Sequence, residues 1–154
     1  MNQLLHVSAS PHIKDRVTTS SIMLDVIIAL IPATLFGIIQ FKINALLIIV
    51  TTITTCVLAE YLYERFMKKT ITIKDLSAVV TGLILALNLP STVPLWLPVI
   101  GGLFAIIVVK QFYGGLGQNF MNPALAARCF LLISFTGRMT NFVFDGMTSS
   151  TPLA

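Results

Sequence analysis

The sequence has 154 residues, 56% hydrophobic and only 10% charged, with a formal net charge of +4 and a mean hydropathy of +0.91. A soluble domain carries about 25% charged residues, so the composition excludes an ordinary soluble domain and reads as an integral membrane protein. The basic residues fall in short loops between apolar runs, which is how membrane topology is encoded, and this excludes nucleic acid as a partner.

Residues 1–21 form a polar N-terminal arm with a proline turn in Ser10-Pro11-His12-Ile13-Lys14. His12, beside Pro11, reads as a capping or packing residue, with a proton carrier or ligand as the alternative. Residues 22–41 are apolar and long enough to span a bilayer. Ser20 and Ser21 are the expected N-caps, and Pro32 is expected to kink the helix. No small-residue cleavage site follows, so the run reads as a transmembrane helix, not a removable signal. Asp25 lies one turn inside, where the helix dipole favours a carboxylate; the other reading is an ion-path acid.

Residues 43–63 are the second predicted span. Its Thr51-Thr52-Ile53-Thr54-Thr55 run offers hydroxyls that bond back to helix carbonyls or across to a neighbour. Glu60, Glu64, Arg65, Lys68 and Lys69 mark its exit into a basic loop running to Lys74 and Asp75. Residues 76–89 are apolar but too short to span, since about 20 residues are needed. Asn88, Pro90, Ser91 and Pro94 end them. Short, proline-interrupted segments are the mark of discontinuous helices that meet a site near mid-membrane. Residues 93–112 are the next span, with Trp96 as an interfacial anchor and Lys110 at the other end.

Gly114-Gly115-Leu116-Gly117-Gln118-Asn119-Phe120-Met121-Asn122-Pro123 follows. Glycines permit positive φ and close backbone approach, and Asn119 and Asn122 supply amide donors and acceptors. With no P-loop lysine and no strand–glycine–helix context, the usual nucleotide sites are excluded. Residues 116–135 are expected to return across the bilayer. Arg128 inside them needs a partner, because an arginine at a helix centre costs roughly 2.5 to 3.5 kcal/mol on insertion. Glu60, Asp25, water or a cofactor phosphate are the candidates. Cys56 and Cys129, in separate apolar segments, are too few for an iron–sulfur cluster or structural zinc and read as small lipid- or helix-facing residues.

Residues 136–154 form a polar loop ending in Asp145-Gly146-Met147-Thr148-Ser149-Ser150-Thr151-Pro152-Leu153. Asp145-Gly146 is a turn signal, and Pro152 biases Thr151 toward extended backbone. This nonamer resembles the flavinylation site Asp-x-x-Ser/Thr-x-Ala/Ser-Thr-x-Leu of the RnfD/NqrB family of respiratory membrane flavoproteins. Ser150 stands where alanine is common. The Gly114–Pro123 stretch resembles that family's Gly-Gly-x-Gly-x-Asn-x-x-Asn-Pro signature, and the Ser-Pro-His element resembles the start of its Rnf branch.

The resemblance implies an all-α polytopic membrane protein of about five segments, similar to one inverted repeat of a urea-transporter-like fold. It implies FMN joined through its phosphate to Thr151 by a flavin transferase, with Asp145, Gly146, Thr148, Ser149 and Leu153 as recognition positions. Gly114, Gly115, Asn119, Asn122 and Arg128 are further cofactor candidates, the glycine-rich turn as support for a non-covalent riboflavin. The implied role is electron relay in a bacterial membrane complex coupling ferredoxin and NAD to Na⁺ or H⁺ movement, beside other Rnf membrane subunits and the flavin-bearing RnfG. NqrB, with a quinone as acceptor, is the alternative within the family; a transporter or channel half-repeat without redox role is the alternative outside it. Relatives in the family are longer, so the chain is expected to be a fragment carrying the first repeat. By the positive-inside rule, Lys14, Arg16, Arg65, Lys68, Lys69, Lys74 and Lys110 share the cytoplasmic side with the N-terminus, and Lys42 and Arg138 lie outside with Thr151.

Overall fold

Two apolar runs separated by a single lysine give the longest element. In the computed structural model of the chain, which describes residues 18–144 and 147–149, helix α1 runs over Thr19–Phe66. Lys42 alone inside it leaves helical dihedrals, at φ 54° and ψ −135°. The expected spans 22–41 and 43–63 are therefore the two limbs of α1. Ser20 Oγ donates to the carbonyl of Lys74, and Thr19 lines the same cavity as Glu64. The chain thus doubles back at Lys42, and each limb is about 35 Å long at 1.5 Å per residue. Taken whole, α1 is the one helix among the described residues long and apolar enough to cross a membrane.

One expectation about α1 is corrected. The cap is Thr18, whose hydroxyl accepts from the Ser21 amide, while Ser21 Oγ donates back to the Thr18 carbonyl. Ser20 and Ser21 are inside the helix. Pro32 lies inside the first limb with helical dihedrals, and the reversal of the chain falls at Lys42. The N-terminal arm up to residue 17, with His12, Lys14 and Arg16, lies outside the described residues.

After a 3₁₀ turn over Ile73–Asp75, α2 spans Ser77–Leu87 and stops at Asn88, before Pro90, as the short segment predicts. Helix α3, Trp96–Leu103, continues as a π-helix over Phe104–Gln111. Helix α4 covers Pro123–Ser134 and α5 Thr136–Met139. The returning segment therefore begins at Pro123 and not at residue 116. Gly114, Gly115 and Gly117 hold φ of 113°, 96° and 87°, values that no helix admits. The fold is helical as expected, with one addition: strands β1, Phe142–Phe144, and β2, Met147–Ser149, pair antiparallel with Phe144 opposite Met147.

Helix α2 is the centre of the packing, with Ala78, Val80, Leu83, Leu85 and Ala86 all buried. An apolar stripe is enough for a surface helix, whereas a helix apolar all round is enclosed. Leu97, Ala105, Ala124, Ala127 and Leu131 complete the core from α3, the π-helix and α4, and Phe104 stacks on Phe130 at 4.2 Å. The threonine run bonds back along its own helix: Thr51, Thr52, Thr54 and Thr55 each donate to the carbonyl four residues earlier. Cys56 is buried between helices and Cys129 is exposed.

Helices in membranes approach closely where residues are small, and Gly82 is such a point. A Cβ there would stand 2.9 Å from Ile53 Cα. Gly82→Ala should therefore destabilise the fold by about 1 to 3 kcal/mol through overpacking. Gly37→Ala, with nothing within 4 Å, should be neutral or mildly stabilising, since alanine is the better helix former by about 1 kcal/mol. Melting temperatures of the two purified variants in detergent check this contrast.

Candidate functional site

The buried polar groups collect at the end of the bundle where α1 finishes. Lys110, 1% exposed, places Nζ 2.5 Å from Glu60 Oε1, and Glu60 is itself 0% exposed. The ammonium also donates to Ser77 Oγ at 2.6 Å, and Gln111 Nε2 donates to Glu60 Oε1 at 3.1 Å. Ser77 donates its own hydroxyl proton to Asp75 Oδ1 at 2.6 Å. Buried Glu64 accepts from the amide and the hydroxyl of Thr72. Three carboxylates are thus strung along one network with a single buried ammonium, and Glu60 Oε2 has no partner. They lie in series. Among the described residues no three metal-ligating side chains gather round one point.

Local structure explains the cluster. Glu60 and Glu64 are one helical turn apart on α1, so both face inward. Lys110 and Gln111 are consecutive, yet both reach the same oxygen. They sit at the end of the π-helix, where i→i+5 bonding narrows the angle between neighbouring side chains. Glu60 and Lys110 do sit near helix ends, as expected, but they are buried, each held inside by the other. Among the described residues, the exposed lysines and arginine at this end are Arg65, Lys68, Lys69 and Lys74, with Lys42 and Arg138 at the opposite end.

The glycine-rich turn is fastened to the same place. The Gly115 amide donates to the Lys110 carbonyl at 3.0 Å. The Asn119 side-chain nitrogen, oriented by its acceptors, donates to Gly115 O at 3.0 Å and Lys110 O at 3.3 Å. Asn122 caps α4, its Oδ1 accepting from the Ala124 and Leu125 amides. Gly114 and Gly115 line an open cavity of about 430 Å³ with Glu64, Thr72, Asp75 and Gln111. Four of the residues singled out in the sequence, Gly114, Gly115, Asn119 and Asn122, are therefore gathered at this end.

Arg128 is elsewhere. Neither Glu60 nor Asp25 partners it: Glu60 is taken by Lys110, and Asp25 is exposed near the start of α1. Arg128 Nη1 donates to Asn88 Oδ1 at 3.1 Å, and Asn88 fixes its amide by donating to Ile84 O at 2.8 Å. Four residues on, Thr92 Oγ1 donates to the Asn141 carbonyl at 2.7 Å. That bond ties the Pro90–Pro94 turn to the base of the hairpin whose second strand carries Thr148 and Ser149, paired with Val143 and Phe142. Asp145, Gly146, Ser150, Thr151, Pro152 and Leu153 lie outside the described residues.

A broken helical hairpin packs around a short central helix, with buried charge at one end and a two-stranded hairpin at the other, an arrangement consistent with a helical membrane protein. The chain matches the NQR2, RnfD, RnfE family over residues 6–154 and belongs to it. It is 50% identical, over its whole length, to the D subunit of the Na⁺-translocating ferredoxin:NAD⁺ oxidoreductase complex of Acetobacterium woodii, covering 50% of that protein. It is 41% identical to the proton-translocating counterpart of Clostridium ljungdahlii, over 96% of this chain and 46% of the other. To the D subunit of the ion-translocating oxidoreductase complex of Shewanella denitrificans it is 42% identical, over 89% and 40%. The chain thus spans about half the length of the curated relatives it matches.

Sequence reasoning missed the Glu60–Lys110 pair. The signal was there: a lysine inside Ile-Val-Val-Lys110 and a glutamate inside an apolar helix each need a partner. Removing one member strands the other. Lys110→Met should cost about 3 to 5 kcal/mol, and Glu60→Leu combined with Lys110→Met should recover most of that loss. Thermal unfolding of the single and double variants measures it.

Proposed function

We propose that this chain is part of an RnfD-type protein that carries FMN covalently on Thr151 and relays electrons in a membrane complex coupling ferredoxin:NAD electron transfer to Na⁺ or H⁺ movement. The nonamer Asp145–Leu153 carries the reading, and the names of the relatives support it. The charge distribution is compatible. Arg128 and Arg138 lie at the hairpin end and the buried carboxylates at the other, so an anionic phosphate suits the former. When bound, FMN accepts two electrons and releases them singly. The chain's contribution is placement: Thr92 and buried Met139 hold the hairpin base against the bundle, and Thr148 and Ser149 present the segment to the transferase.

In this reading the other Rnf membrane subunits and the flavin-bearing RnfG are neighbours. The chain crosses the membrane several times, as one inverted repeat of a urea-transporter-like fold. The cavity beside Gly114 and Gly115 is where a second, non-covalent flavin would rest, and the Glu60 network is where a translocated ion or proton would be passed. The relatives are named for different ions, so their likeness to this chain leaves the ion open. The N-terminus is cytoplasmic and residues 136–154 face outward.

Two experiments test this. Ultraviolet fluorescence of the denatured polypeptide in a gel, from cells with active flavin transferase, should show a band that Thr151→Ala abolishes; a dark wild-type band would overturn the redox reading. In a Cys129→Ser background, Arg138→Cys should react with a membrane-impermeant maleimide on intact cells and Lys68→Cys only after permeabilisation. The reverse pattern would invert the orientation.

A further inference from the structure

Four basic residues are crowded into the ten positions where α1 ends: Arg65, Lys68, Lys69 and Lys74, all exposed. The ordinary reason for cations there is the helix C-terminus, whose free carbonyls carry partial negative charge. The backbone already meets that need. The amides of Met67, Lys68 and Lys69 donate to the carbonyls of Tyr63, Arg65 and Glu64. Nor do nearby acids draw the cations in. Glu64 is buried and bonded to Thr72, Asp75 is half-buried and bonded to Ser77, and the one ion pair among the described residues is Lys110–Glu60.

Lys68 adds a second observation. It follows the C-cap of α1 at φ 52°, the left-handed position that helices normally give to glycine or asparagine because a Cβ is penalised there. A lysine kept in that conformation points to a use for its charge.

Large apolar side chains stand among the cations. Phe66 is 82% exposed and Phe112 64%. The ring of Tyr63 joins the two groups: Lys69 Nζ lies 5.0 Å from its centroid and the Phe112 ring 6.2 Å from it. Length sets their depth. The limb of α1 that ends at Phe66 is about 35 Å long, against a hydrocarbon core of about 30 Å. With Lys42 at one membrane surface, Phe66 reaches the edge of the core at the other, and Lys68 and Lys69 reach the headgroups. Water would suit the cations and strand the rings; hydrocarbon would do the reverse. A headgroup layer takes both, with rings at its inner edge and ammonium groups among the phosphates.

We propose that the turn closing α1 binds the phosphate of an anionic phospholipid through Arg65, Lys68 and Lys69, with Phe66 and Phe112 against the lipid's apolar part. The site requires only that the chain lies in a bilayer. It is independent of the flavin reading and of which face is cytoplasmic.

The test is melting of the protein purified in detergent, with whatever subunits accompany it, titrated with phosphatidylglycerol and in parallel with phosphatidylcholine. Phosphatidylglycerol is expected to raise the melting temperature at lower concentration than phosphatidylcholine, and the advantage is expected to shrink as salt rises. Lys68→Gly separates charge from backbone. Glycine suits the left-handed position, so in phosphatidylcholine this variant should melt at or above wild type. Its phosphatidylglycerol response should nevertheless move to about fivefold higher lipid concentration, the effect of one basic residue at an anionic surface. Arg65→Gln and Lys69→Gln should each shift the response by a similar factor, and Lys68→Arg should keep it. Equal responses of wild type to the two lipids would overturn the proposal. So would a preference unchanged in Lys68→Gly, which decides the matter alone where another variant does not fold. A variant that keeps the lipid response but loses a subunit present with wild type would overturn it as well, assigning the patch to an acidic protein surface.

Discussion

The Lys110–Glu60 pair is the constraint that the rest of the molecule accommodates. An ammonium and a carboxylate taken out of water each lose several kcal/mol of solvation, and only close contact with further hydrogen bonds offsets the loss. The contact at 2.5 Å with Ser77 and Gln111 alongside supplies this. Meeting those partners requires the C-terminal part of α1, the start of α2 and the end of the π-helix to converge on one point. The π geometry lets two consecutive residues share one carboxylate. The glycine-rich turn then starts from the Lys110 carbonyl, so the sharp reversal into α4 is anchored on the residue that makes the ion pair.

From this point the two ends of the bundle diverge in character. At one end, charges are buried and paired, and a ring of exposed Arg65, Lys68, Lys69 and Lys74 surrounds them. At the other, Pro90 and Pro94 close off α2, Lys42 turns α1, and the hairpin rests on Thr92. Helix α2 connects the ends without spanning the length of an α1 limb. A short, fully enclosed helix of this kind leaves polar backbone ends inside the protein, and protein interior or a water-lined cavity is where such ends are tolerated at membrane depth. The cavity at Gly114 and Gly115 abuts one of them.

Much of this is legible in the sequence, for physical reasons that can be named. Proline and asparagine after residue 87 stop a helix whatever surrounds it, so the short segment is visible in advance. Lys42 between two apolar runs marks a turn because a charge at that depth has nowhere else to go. The positive-φ turn is written in its glycines. Other features depend on partners distant in the chain. The Glu60–Lys110 pair joins residues 50 apart, so the apolar run around each shows that it needs a partner but not which residue that partner is. The start of α4 at Pro123 is likewise set by the Asn122 cap, while Leu116 to Asn122 carry enough apolar side chains to imitate a helix. The N-cap moved for a smaller reason: Thr18, Thr19, Ser20 and Ser21 are all competent caps, and the choice among them is made by where the chain enters the bundle.

Separation of the two polar regions has a consequence for coupling. Charges at opposite ends of a bundle about 35 Å long interact weakly through space where water and headgroups screen them, since the Debye length is about 8 Å at physiological ionic strength. Exposed Arg128 and the buried Glu60 network lie at either end of α2, about 16 Å apart along its axis. Helix α2 also provides the mechanical link: Asn88 at its C-cap holds Arg128, and Ser77 at its first position holds Lys110. Gly82 packs α2 closely against Ile53 of α1. Both charged regions thus grip the same short helix.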